Sequence, residues 1–146
     1  MTRITRNEML FEIARSAAKR STCDRRHVGA VIARDGRVLS LGYNGSPSGM
    51  PHCCDVGCLV DPQTGGCIRT QHAESNAIAF AAREGIRVEG AELYTTLSPC
   101  LSCAKLIINA GISIVLYAEP YRDTTPVDYL RQANVDCWYV ADAAQR

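Results

Sequence analysis

Long apolar runs are missing from this sequence, and with them any stretch of the about 20 residues that a membrane-spanning helix needs. Charge of one sign is missing too. The 16 Lys and Arg residues stand against 15 Asp and Glu, and the cations are scattered. No basic run or stripe of the kind that holds long nucleic acid is present, so any nucleic-acid-like partner is expected to be small. The opening residues Met1 to Glu8 lack the apolar stretch of a secretion signal, and a soluble, cytoplasmic protein is expected. No repeat or linker interrupts the chain, which reads as a single domain over residues 1–146. That length buries a real core without staples.

What is present in excess is cysteine. There are eight: Cys23, Cys53, Cys54, Cys58, Cys67, Cys100, Cys103 and Cys137. Reducing compartments disfavour disulfides, so clustered cysteines point to metal and isolated ones to core. Cys137, inside the apolar run Val135 to Val140, is expected in the core.

The elements read as follows. Asn7 caps a helix to about Arg20, with Leu10, Ile13, Ala14, Ala17 and Ala18 as its apolar stripe. Val28 to Ala33 and Arg37 to Tyr43 are strands joined by Asp35-Gly36, a hairpin signal. Asn44 to Thr70 has no period and is expected as a long loop that function or a tether must hold. A helix over Ala73 to Arg83, a strand over Glu92 to Thr96, a helix from Pro99 to about Ala110 and a strand over Ser113 to Tyr117 follow. Pro126 to Ala133 reads as helix and Val135 to Val140 as strand. Strands alternating with helices predict an α/β sandwich with partly parallel strands.

Two short patterns carry chemistry. His72-Ala73-Glu74 comes first and Pro99-Cys100-Leu101-Ser102-Cys103 second, with room for one helix and one strand between them. Three protein ligands plus water is the arrangement of a catalytic zinc, and thiolates with imidazole select zinc over calcium or magnesium. A Cys-x-x-Cys at a helix start puts both sulfurs on one turn, where exposed N–H groups favour thiolate. Glu74 stands where a general base must be to take a proton from bound water and return it to substrate. Alone, the Cys-x-x-Cys is equally a structural half-site or a redox pair. Together with His-x-Glu it forms the H-x-E…P-C-x-x-C signature of nucleobase deaminases.

With these residues in hand, the chain resembles the deoxycytidylate (dCMP) deaminases of bacteria and phages. The resemblance runs from Cys23 to Tyr121, through Thr22 to Ile32, Gly42-Tyr43-Asn44-Gly45-Ser46-Pro47, His72 to Ile78 and Leu93 to Cys100. Ser75 replaces the Gln usual after His-Ala-Glu. The resemblance implies a three-layer α/β/α sandwich around a mixed five-stranded sheet. It also implies hydrolysis of dCMP to dUMP and ammonia, with Glu74 protonating N3 and then the leaving amine, and the Ser98 carbonyl accepting from that amine. Asn44 binds sugar or base edge or is simply a turn residue. Arg25 and Arg26 hold the 5′-phosphate or form a solvated turn. Tyr121 stacks on the pyrimidine or packs.

The same resemblance implies a second, structural zinc on Cys23, Cys53, Cys58 and Cys67, with His52 or Cys54 as alternatives; ordinary buried cysteines are the competing reading. It further implies a homohexamer activated by dCTP and inhibited by dTTP, the triphosphate carrying Mg2+. Gly42, Tyr43, Asn44, Gly45 and Arg83 would serve that regulatory site, or the glycines would serve turn geometry alone. The host cytoplasm is implied if the chain is phage-encoded. Rival readings are a nucleoside or tRNA deaminase, and a zinc-stabilised module without activity.

Overall fold

The computed structural model describes residues 1–141; residues 142–146, the end of the expected single domain, lie outside the described residues. The elements run α1 (Arg6–Ala18), β1 (Gly29–Arg34), β2 (Arg37–Tyr43), α2 (Cys53–Val56), α3 (Ala73–Arg83), β3 (Glu92–Leu97), α4 (Leu101–Asn109), β4 (Ile114–Glu119), α5 (Thr125–Gln132) and β5 (Asp136–Tyr139). They build one five-stranded sheet in the order β2-β1-β3-β4-β5. β1 is antiparallel to both β2 and β3, while β3, β4 and β5 run parallel. The expected mixed sheet is therefore present.

Alternation along the strands sorts the core into two layers. Ala30 and Ile32 of β1, Leu93 of β3 and Val115 of β4 pack with Ala77, Ala104, Ile107 and Leu130 from α3, α4 and α5. Val31, Ala33, Tyr94 and Leu116 point the other way, onto Leu10, Phe11 and Ala14 of α1. Successive strand residues face opposite sides, so both faces of this sheet need a helical cover. Cys137 is buried in the first cluster, as expected.

The β1–β2 turn uses Asp35 (φ 52°) and Gly36 (φ 76°), the positive-φ pair of a tight hairpin. Several element ends shift by one or two residues from the sequence reading, and three features differ in kind. Thr5, not Asn7, caps α1; its side chain accepts from the Glu8 amide and Glu8 answers on the Thr5 amide, a capping box. Asn7 instead accepts a hydrogen bond from the Tyr94 hydroxyl at 2.9 Å. Pro99 precedes the cap of α4, which is Cys100. The loop from Asn44 to Thr70 contains α2 and is pinned by bridges Gly45↔Gln71 and Val60↔Cys67. None of the helices of the described residues is long and apolar enough to cross a membrane.

Candidate active site

Two helices begin at the chemistry. His72 is the N-cap of α3 and Cys100 the N-cap of α4, and neither side chain makes a capping hydrogen bond. Both are thereby free to turn toward each other. His72 Nδ1 lies 3.3 Å from Cys100 Sγ and 3.5 Å from Cys103 Sγ, and the three donor atoms form one potential metal-binding group. Zn–S near 2.3 Å and Zn–N near 2.1 Å place tetrahedral neighbours about 3.5–3.8 Å apart, so the spacing fits zinc. Hydrogen bonds from Cys103 above all, and from His72, hold Cys100 down at about 3 against the effect of burial. The same contact to Cys100, with burial, pushes Cys103 up. His72 is raised, chiefly by its contact with Cys100.

Glu74 sits on the first turn of α3 and is only 4% exposed. Burial pushes its carboxyl up, although its own amide and His72 favour the charged form. A group biased in this way accepts and gives up a proton more readily near neutral pH than an exposed carboxylate does. The Thr95 hydroxyl lies 3.3 Å from Glu74 Oε1 and 2.9 Å from the Leu97 carbonyl. Thr95 is fully buried and was not singled out from the sequence; only the strand register brings it beneath Glu74. Ser75 donates to the His72 carbonyl at 2.9 Å, closing the first turn behind the ligand. That gives the departure from the family's Gln a local function.

A cavity of about 410 Å³ opens over these groups. All five residues expected to bind substrate line it: Arg25, Arg26, Asn44, Ser98 and Tyr121. Asp123 and Thr70 join them unforeseen. Asn44 does more than line the wall. Its Oδ1 accepts from the Val28 amide at 2.8 Å and its Nδ2 donates to the Arg26 carbonyl at 2.6 Å. It thus fixes the segment that carries Arg25 and Arg26, which leaves one N–H for any ligand. Tyr121 is 56% exposed, and its amide donates to Ser98 Oγ at 2.9 Å. Arg26 pairs with Glu119 at 3.1 Å.

The second cysteine set also converges. Cys23, Cys53, Cys58 and Cys67 have sulfurs within 4.8 Å of one another. Cys23–Cys58 is 3.8 Å and Cys53–Cys67 3.6 Å, the spacing of a tetrahedral S₄ site. Cys54 is exposed, and neither it nor His52 belongs to the group. Burial and contact with Cys67 push Cys53 up to about 12. Burial opposes ionisation of Cys67 as well, but the Arg69 amide and the Cys53 thiol stabilise its thiolate and bring it down to about 6. Cys23 and Cys67 line the 410 Å³ cavity too, so the cluster forms part of its wall.

The residues expected at a regulatory site divide. Gly42, Tyr43, Gly45 and Arg83 line a separate cavity of about 610 Å³ beside β2 and α3, whereas Asn44 belongs to the first cavity. Phe80, Ser46 and His52 line this second cavity as well. Ser46 Oγ and His52 Nδ1 are buried there without a hydrogen-bond partner among the described residues. Gly42 has a packing reason of its own. A Cβ on it would lie 2.3 Å from the Ala73 carbonyl oxygen and 2.6 Å from the Ala77 nitrogen, so α3 packs directly onto its backbone.

A mixed-sheet α/β sandwich with a His/Cys/Cys metal-binding group at two helix starts defines the class: a fold of cytidine-deaminase type with a zinc-type donor set. Residues 4–119 match the family model of the cytidine and deoxycytidylate deaminase zinc-binding region. The chain belongs to that family. It is 48% identical over 122 residues to ComE operon protein 2 of Bacillus subtilis, covering 84% of this chain and 64% of that protein. The deoxycytidylate deaminase of Enterobacteria phage T4 is 36% identical, covering 90% of this chain and 88% of its own. The dCMP deaminase of cyanophage S-TIM5, solved with dCMP and dUMP, superposes with a TM-score of 0.80 at 34% identity, covering 91% and 95%.

Proposed function

We propose that this chain hydrolyses dCMP to dUMP and ammonia, a reaction that supplies thymidylate synthesis. The observation that carries the reading is the buried Glu74 beside the His72, Cys100 and Cys103 donors, at the inner end of a cavity whose exposed rim holds Arg25 and Arg26. The names of the phage relatives support the choice of dCMP.

His72, Cys100 and Cys103 would hold zinc. Bound there, zinc would lower the pKa of a water from about 16 to about 7 and so supply the nucleophile. Glu74 would pass one proton from the attacking water to N3, where it stays in dUMP, and a second, from the hydroxyl formed at C4, to the leaving amine. Its burial excludes bulk water from the transfer. The Ser98 carbonyl accepts from the amine, Asn44 meets sugar or base edge with its remaining N–H, and Tyr121 covers the pyrimidine. Arg25 and Arg26 take the 5′-phosphate.

Cys23, Cys53, Cys58 and Cys67 would hold a second, structural zinc that ties the long loop to the cavity wall. The second cavity, with Arg83 and the unpaired Ser46 and His52 atoms, would take the regulatory triphosphates dCTP and dTTP with Mg2+. A homohexamer acting on the free nucleotide pool of the cytoplasm completes the reading. Ammonia release from dCMP, deoxycytidine and a tRNA anticodon stem, each with and without a chelator, tests it. Chelator-sensitive release from dCMP alone supports the proposal; release from the tRNA stem alone overturns it.

A further inference from the structure

Glu119 is the last residue of β4, and the site takes its measure from it. The Ser98 amide donates to the Glu119 carbonyl at 2.9 Å, and Leu97 faces Glu119 across the parallel β3–β4 pair. Its backbone is therefore fixed relative to Cys100, two residues beyond Ser98. Its carboxylate reaches out to Arg26 Nη2 at 3.1 Å, with the two side chains 52% and 67% exposed. A single contact between half-exposed partners is weak and easily exchanged.

Arg25, Arg26 and Asp123 line the cavity, and Glu119, outside that lining, reaches it only through Arg26. A phosphomonoester, with about 1.5 to 2 negative charges near pH 7, competes with the Glu119 carboxylate for Arg26. On the reading of the cavity as a nucleotide pocket, we propose that Glu119 sets phosphate affinity by holding Arg26 until a nucleoside monophosphate displaces it. Glu119 is then a specificity-determining residue that touches the substrate's binding group and not the reacting atoms.

The experiment compares wild type, Glu119→Gln and Arg26→Ala on dCMP and on deoxycytidine, at low and at high salt. Glu119→Gln is expected to lower the half-saturating dCMP concentration about two- to five-fold, the range of an exposed ion pair. It keeps kcat within about twofold and leaves deoxycytidine kinetics unchanged, and raised salt shrinks its effect. An unchanged or higher half-saturating dCMP concentration overturns the proposal, as does an equal shift for deoxycytidine. Arg26→Ala separates this failure from failure of the underlying reading. If it leaves the preference for dCMP over deoxycytidine intact, the phosphate does not sit at Arg26 and the nucleotide pose itself is wrong.

Discussion

His72 Nδ1 lies 3.3 Å from Cys100 Sγ, and each residue is the N-cap of its own helix. The relationship explains why the donors meet. A helix start leaves backbone N–H groups without partners and carries a partial positive charge, which favours thiolate and anion at that end. Here two such ends converge, and neither spends its cap side chain on capping. The same geometry places Glu74 on the first turn of α3, next to the ligands without being one of them.

The four-cysteine cluster is expected to hold metal independently of the first site. Wild-type protein should carry two zinc ions per chain by elemental analysis, and Cys53→Ser one. The variant should also lose about 10 °C or more in Tm, because metal affinity at a structural site is folding free energy. One zinc per chain in the wild type removes the second site.

Gly42→Ala should destabilise by about 1–3 kcal/mol, the cost of overpacking a tight contact. Its new Cβ meets the backbone of α3 and not a flexible side chain. Because α3 carries His72 and Glu74, metal affinity should fall with stability. Urea denaturation and a zinc titration check this; a variant as stable as wild type contradicts the packing account.

Cys137 gives a pH signature. Burial pushes its thiol up to about 11, with Arg131 opposing. The unfolded chain, with its ordinary thiol near 9.0, releases the proton first as pH rises. Stability is therefore fully present below pH 9 and is lost from there through 11. Denaturation midpoints of wild type and Cys137→Val should converge or cross over that window. A constant difference from pH 8 to 10.5 contradicts the assignment.

Much of the site was legible because its ligands lie in short, local patterns. His72-x-Glu74 and Cys100-x-x-Cys103 each fit one helical turn, so spacing alone placed them. The hairpin was read from the Asp35-Gly36 turn signal and the parallel strands from the alternation of strands with helices. Thr95, Glu119 and Asp123 were not legible, since strand register and a distant loop bring them to the site. α2 is too short to show a period. Asn7 was read as the α1 cap because it suits a cap by type, but its partner Tyr94 lies far along the chain, and the capping box is Thr5 with Glu8. Gly42 was read toward a phosphate, although its close neighbour is the α3 backbone.

Glu74 is proposed to move the protons of a hydrolytic deamination. The most direct measurement is dUMP formation from dCMP by zinc-replete wild type and by Glu74→Gln, with zinc quantified in both. In Glu74→Gln kcat is expected to fall by about 10²- to 10⁴-fold while the zinc content is unchanged. Near-normal turnover by a fully metallated Glu74→Gln would contradict it.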